Sequence, residues 1–180
     1  SLDAERMLAA LGLVFEKPAA LKEDVKLQPQ QERLREKIRS GRPVRQLLVH
    51  SVGSGKTLSA IGAAEETGEP YAAYVPASLR VNFNKEVEKF TDQTNVPTVD
   101  SYNLLAKGVP AAVPQTVVMD EVQRLRNPAA QQTVNAKRVA EQARNLILLT
   151  GTPVVNSPAD LAPLYEMLSG QPMSAESFKE

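Results

Sequence analysis

The 180-residue chain is predicted to fold as an α/β domain: three layers, a mainly parallel sheet covered by helices on both faces. Three observations predict it. Short apolar runs alternate with longer stretches of helical periodicity, the pattern of strand–helix–strand crossovers. One strand runs into a glycine-rich turn and then a helix, at Leu47–Thr57. Another, Thr116–Met119, ends in adjacent carboxylates, Asp120 and Glu121. Both junctions fall at carboxyl ends of strands, where open α/β sheets bind their ligands.

Composition narrows the chemistry. Hydrophobic residues make up 42% and charged residues 23%, enough for one sizeable core in a soluble domain. Lys+Arg and Asp+Glu number 21 each, so any nucleic-acid contact must come from a local patch. The absence of cysteine excludes disulfides, thiolate metal sites and thiol nucleophiles, and suits a reducing compartment. His50 is the only histidine, which excludes a histidine metal cluster and a Ser-His-Asp triad built on any other histidine. No apolar run approaches membrane-spanning length and the N-terminal stretch lacks a secretory pattern, so a cytoplasmic location is expected.

Taken in order, Leu2–Phe15 places Leu8, Leu11, Val14 and Phe15 at helical spacing and stops at Pro18. We read residues 1–26 as a helical extension of unassigned role and 27–180 as the main domain. From Leu27 a polar helix turns Leu34 and Ile38 inward, and on this reading Gln31 is a surface residue. Ser40-Gly41-Arg42-Pro43 ends that helix just before the strand Leu47–Val49. The helix after the glycine-rich turn runs over Leu58–Ala64. Thr67-Gly68-Glu69-Pro70 is a turn, Tyr71–Val75 a second strand, and Ser78 an N-cap for a helix striped by Leu79, Phe83, Val87 and Phe90. A third strand is expected at Val96–Asp100, a Pro/Ala-rich connector at Gly108–Pro114, and a helix at Ala129–Arg144. The strand Leu146–Leu149 follows, ending in Thr150-Gly151-Thr152-Pro153. The last helix has Ser157 as N-cap, Pro158 at its first position, an apolar face of Leu161, Leu164, Tyr165 and Leu168, and Gly170 as a stop.

The glycine-rich turn reads as a phosphate-binding loop. Backbone N–H groups of Ser51, Val52, Gly53, Ser54 and Gly55 at a helix N-terminus would cradle an anion that the helix dipole also favours. Lys56 would reach the β- and γ-phosphates, and the Thr57 hydroxyl would bind Mg²⁺. The strict pattern begins with glycine, where this chain has His50, and a turn with a solvated lysine is the plain alternative. The carboxylates supply a second, independent element. Asp120 would hold Mg²⁺ and Glu121 would orient or deprotonate an attacking water. A nucleotide with Mg²⁺ is therefore the expected ligand, with Lys56, Asp120 and Glu121 as catalytic residues.

Together these motifs resemble, over residues 27–168, the first RecA-like lobe of superfamily II helicases, and within them the Swi/Snf family of DNA translocases. Leu27-Gln-Pro-Gln-Gln31 is similar to the family's Leu-Arg-Pro-Tyr-Gln, whose glutamine reads adenine, which gives that role to Gln31; Gln28 and Gln30 stand where the family has arginine and tyrosine. His50–Thr57 resembles Asp-Glu-Met-Gly-Leu-Gly-Lys-Thr, a loop that also lacks the leading glycine. Val75-Pro-Ala-Ser-Leu79 with Asn82 and Phe83 resembles an element that touches the nucleic-acid backbone, and Ser101-Tyr102 resembles the Ser-Tyr element that follows it, which places Ser101 among the nucleic-acid or coupling residues. Asp120-Glu-Val-Gln-Arg-Leu-Arg-Asn-Pro128 resembles the Asp-Glu-Ala-His/Gln motif, Gln123 being a variant associated with bacterial and phage members. Thr150-Gly151-Thr152-Pro153 with Asn156 resembles the motif coupling ATP state to the DNA track. Ser78, next to free helix N–H groups, would bind phosphate oxygens, with Arg80 and Lys85 either adding charge or merely solvated.

The resemblance implies a nucleic-acid-dependent ATPase moving on double-stranded DNA, active with a second RecA-like lobe in cis or trans and very weak without it. Alternatives are a strand-separating motor of a restriction or replication system, and a non-hydrolysing nucleotide-gated DNA-binding module. A bacterial or viral setting is the expected one.

Overall fold

A computed structural model describes residues 27, 29–49, 55–92, 95, 97–125, 127–151 and 162–170. The expected N-terminal helix lies outside these residues, as do Ser157, Pro158 and Leu161. Helix α1 spans Pro29–Arg39, strand β1 Arg45–Val49 and helix α2 Lys56–Glu66. Strand β2 (Ala72–Val75) leads through a 3₁₀ turn at Ala77–Leu79 into α3 (Arg80–Phe90). Strand β3 (Thr98–Ser101) runs directly into α4 (Tyr102–Lys107), and β4 (Thr116–Met119) into a 3₁₀ turn at Val122–Leu125. Helix α5 (Gln131–Gln142), strand β5 (Asn145–Thr150) and helix α6 (Ala162–Ser169) complete the order.

The five strands pair in parallel in the order β1-β5-β4-β2-β3, as the alternation of elements predicts. Strands buried on both faces carry continuous apolar runs, and β2, β4 and β5 are buried throughout. Because successive side chains point to opposite faces, β5 sends Ile147 and Leu149 to one core and Leu146 and Leu148 to the other. The first core packs α1, α2 and α3 through Leu34, Ile38, Ile61, Ala64, Phe83 and Val87. The second packs α4, α5 and α6 through Leu105, Ala136, Val139 and Met167. This is the expected three-layer arrangement.

Some boundaries differ from the sequence reading. Strand β3 begins at Thr98, directly after the buried Pro97 and two residues later than expected, and reaches Ser101. Helix α5 starts at Gln131, because Asn127–Ala130 forms a turn in which the Asn127 carboxamide accepts the Ala129 N–H at 3.1 Å. Helix α4 was not anticipated. Gly170, with φ +70°, ends α6 as expected.

Candidate functional site

At the carboxyl end of β1, Gly55 caps α2 with φ +79°, a left-handed conformation that suits glycine. A Cβ there would stand 2.9 Å from Nε2 of Gln31. That amide donates to the Gly55 carbonyl at 2.9 Å, and the same oxygen accepts the N–H and the hydroxyl of Ser59. Gln31 is 3% exposed, so the surface role read from its polarity is corrected: it braces the end of the loop. Its position follows from α1 being tied to α2. Arg35 donates to Glu66 at 3.0 and 2.5 Å and Arg39 at 2.5 Å. Burial pushes the Glu66 pKa up, but the two guanidinium groups outweigh it and hold the carboxyl below the ordinary range. Thr57 stands half-buried in the first turn of α2, which carries no acidic residue to compete with an anion. Ser51, Val52, Gly53, Ser54 and the Lys56 side chain lie outside the described residues.

At the carboxyl end of β4, Asp120 is 5% exposed. Its N–H donates to the Tyr74 carbonyl at 2.9 Å, its own carbonyl accepts the Tyr102 hydroxyl at 2.5 Å, and its Oδ1 accepts the Glu121 N–H at 2.8 Å. Glu121 has φ +51°. It is the one left-handed residue other than glycine among the described residues, at a cost of about 1–2 kcal/mol. Such an outlier persists only where its surroundings over-determine it. The Glu121 carboxylate accepts a hydrogen bond from Nε2 of Gln123, and Oε1 of Gln123 accepts the Thr150 hydroxyl at 2.9 Å. A hydrogen-bonded relay thus joins the end of β4 to the end of β5. Burial, and then the neighbouring Asp120 and Glu121 charges, push the Tyr102 pKa far above its usual value, which keeps the hydroxyl protonated as a donor.

The donor set suits a nucleotide with Mg²⁺. No group of three or more His, Cys, Asp or Glu among the described residues could hold a metal by itself. Mg²⁺ in nucleotide sites needs only one or two carboxylates plus phosphate oxygens, and Asp120 with the Thr57 hydroxyl meets that need.

The candidate nucleic-acid contacts are more dispersed. Ser78 does not cap α3: it sits exposed in the 3₁₀ turn, where the Leu79 N–H donates to the Pro76 carbonyl at 2.9 Å, and Leu79 is the cap residue. Backbone satisfies what the hydroxyl was expected to satisfy. Asn82 and Lys85 are exposed, and Ser101 is half-buried at the cap of α4. Arg80 is exposed too, but its guanidinium lies against β3, donating to the Val99 carbonyl at 2.8 Å with Asp100 3.9 Å away. Gly151 follows β5; Thr152 and Asn156 lie outside the described residues.

The sequence drew attention to Gln123 and Tyr102 only as motif positions, without the contacts that the structure gives them. Gln123 stood out only as a departure from the family motif, since its partner Thr150 is 27 residues away. For Gln31 a signal existed. It lies three residues before Leu34 and seven before Ile38, on the same stripe of α1.

Residues 98–180 match the SNF2-related domain family. A protein of Acanthamoeba polyphaga mimivirus, provisionally named an ATP-dependent RNA helicase, is 31% identical over 129 residues, covering 69% of this chain and 29% of that protein. The Drosophila melanogaster SWI/SNF-related matrix-associated actin-dependent regulator of chromatin subfamily A-like protein 1 is 24% identical over 154 residues, 73% of this chain and 20% of that protein. The chain therefore spans less than a third of these relatives. The Sulfolobus solfataricus SWI2/SNF2 ATPase core in complex with double-stranded DNA superposes with a TM-score of 0.68 at 23% identity, over 92% of this chain and 40% of that one. That likeness establishes the fold. The family match over residues 98–180, the Swi/Snf-related relatives and the motif series together support a Swi/Snf-type RecA-like lobe of superfamily II.

Proposed function

We propose that this lobe, residues 27–180, binds ATP with Mg²⁺ and, paired with a second RecA-like lobe, powers translocation on double-stranded DNA. The observation that carries the reading is the relay from Glu121 through Gln123 to Thr150, which links the end of β4 to the end of β5. A motor needs such a link, because hydrolysis at one strand end must be felt at another. Backbone groups of Ser51–Gly55 and the α2 N-terminus hold the phosphates, Lys56 pairs with them, and Thr57 and Asp120 hold the metal. Mg²⁺, when bound, supplies the charge that neutralises phosphate oxygens. Glu121 orients the attacking water and takes its proton. Gln31 braces the loop through Gly55 and faces the base.

Ser78, Asn82 and Ser101 grip phosphate oxygens of the track, contacts that position without reading sequence. Double-stranded DNA as the track is supported by the Sulfolobus core having been captured in complex with it. RNA is the competing track, favoured by the name of the mimivirus relative.

The test is ATP hydrolysis by the chain with a second lobe supplied, using no nucleic acid, single-stranded DNA, duplex DNA or RNA. Lys56→Ala is the control. Duplex-dependent, Lys56-dependent turnover appearing only with the second lobe is the expected result, the isolated chain being very weakly active. Stimulation by single strands or RNA alone would replace the duplex track. ATP binding without turnover under every condition would leave a nucleotide-gated binding module instead.

A further inference from the structure

We infer that Tyr102 is a positioning residue for the carboxylate pair, fixing the peptide that joins Asp120 to Glu121 and so the direction in which Glu121 is presented. The inference rests on the reading of Asp120 and Glu121 as the nucleotide-facing acids and adds a residue to it. The peptide is held at both ends. Its carbonyl oxygen, on Asp120, accepts the buried Tyr102 hydroxyl at 2.5 Å. Its N–H, on Glu121, donates to Oδ1 of Asp120 at 2.8 Å.

This carbonyl lies beyond Met119, the last residue of β4, and among the described residues the parallel ladder ends there. A buried carbonyl needs a donor, and the Tyr102 hydroxyl supplies one here. Tyr102 reaches it from the first turn of α4, two strands across the sheet, because β3 runs straight into that helix.

The orientation of a peptide plane sets the φ of the residue after it, and here that residue is Glu121 at +51°. The strain of a left-handed glutamate and the worth of one hydrogen bond are of the same order. Losing the Tyr102 hydroxyl therefore removes a bond large enough to offset the strain. The plane can then flip, Glu121 relaxes to negative φ, and its carboxylate leaves Gln123 and the relay to Thr150. Tyr102 also follows Ser101 directly, so the segment that steadies the acids is the one proposed to meet the track.

The variant is Tyr102→Phe, which removes the oxygen and keeps the ring in its core position beside Tyr74 and Met119. Amide NMR of the full chain is expected to show shifted Glu121 and Gln123 resonances and at least tenfold faster hydrogen exchange at the Glu121 amide. With a second lobe, kcat is expected to fall at least tenfold while KM for ATP stays within twofold. Unchanged Glu121 resonances and exchange, or a loss that merely parallels a lowered Tm, would overturn the proposal. If the wild type hydrolyses nothing, the ATPase reading fails but the NMR arm still decides whether Tyr102 sets Glu121. If the variant does not fold, the wild type alone suffices. A slowly exchanging Tyr102 hydroxyl proton with an NOE to the Glu121 amide is expected, and its absence would sink the idea.

Discussion

Glu65 shows what a single buried acid does when nothing neutralises it. It is fully buried at the carboxyl end of α2, and among the described residues neither carboxylate oxygen meets a partner in hydrogen-bonding geometry. Burial first, then the Asp92 charge, raise its pKa to about 7, although the nearby Tyr71 hydroxyl and Asn95 amide favour the charged form. Between the ordinary value of 4.5 and about 7 the folded chain holds a proton that the unfolded chain releases. Stability therefore falls as pH rises through this window, by up to about 3 kcal/mol, and stays low above it. Glu65→Gln is expected to flatten that slope and to stabilise the chain by about 2–3 kcal/mol at pH 8. Urea unfolding at pH 5 and pH 8 checks it, and an unaltered slope would place the titration elsewhere. Thr150→Val probes the relay at the same scale. One neutral hydrogen bond is lost, for about 1 kcal/mol. With a second lobe supplied, nucleic-acid stimulation of turnover is expected to drop while KM for ATP holds. Neither effect was legible in the sequence: Glu65 reads as one of two acids ending a helix, and what matters is which face each occupies.

Elements are held together here by arginines, each in a geometry that a lysine could not reproduce. Arg45, the first residue of β1, donates to the carbonyls of Ala140, Ala143, Met167 and Leu168, between 2.5 and 2.9 Å. These are the last carbonyls of α5 and α6, where the helix dipoles favour a cation. Burial lowers the Arg45 pKa, but not enough to discharge a guanidinium. Arg45→Lys keeps the charge and loses the fork, so it is expected to cost about 2–3 kcal/mol, read as a lower denaturant midpoint at constant m. On the other face, Glu66→Ala would strand Arg35 and Arg39 and release α1 from α2. Arg39 is partly exposed, so the expected cost is about 2 kcal/mol rather than the full penalty of a buried pair. Because the Glu66 carboxyl is held below its ordinary range, the stability it supplies is present above that range and lost as pH falls through the lower folded value. The helices and strands themselves were legible from apolar periodicity. Helix α4 was not, because its six residues are too few to show a period, and the Ser78 cap was lost to a 3₁₀ turn that backbone bonds alone sustain.

Across the whole molecule the two ends of the parallel sheet divide the labour. Gly55, Thr57, Asp120, Glu121 and Thr150 lie where strands end, as the α/β rule for ligand sites requires. Glu65, Glu66 and Arg45 lie where strands begin, because α2, α5 and α6 run back across the sheet. The sequence showed the first group through motifs, since loop chemistry leaves a local signature. It could not show the second, whose meaning comes only from the crossovers that bring Arg45 to carbonyls 95 to 123 residues away. Among the described residues Glu65 and Thr150 lie at opposite ends of the strands, so the effects of changing them are expected to add. In a Glu65→Gln, Thr150→Val double variant, stability at pH 8 should equal the sum of the single changes within about 0.5 kcal/mol. Nucleotide-dependent behaviour should match that of Thr150→Val alone. Urea unfolding with and without ATP and Mg²⁺ measures both quantities on one sample. A coupling well beyond that margin would mean that α2 transmits its buried carboxyl to the phosphate loop, and the far end of the sheet would then belong to the site.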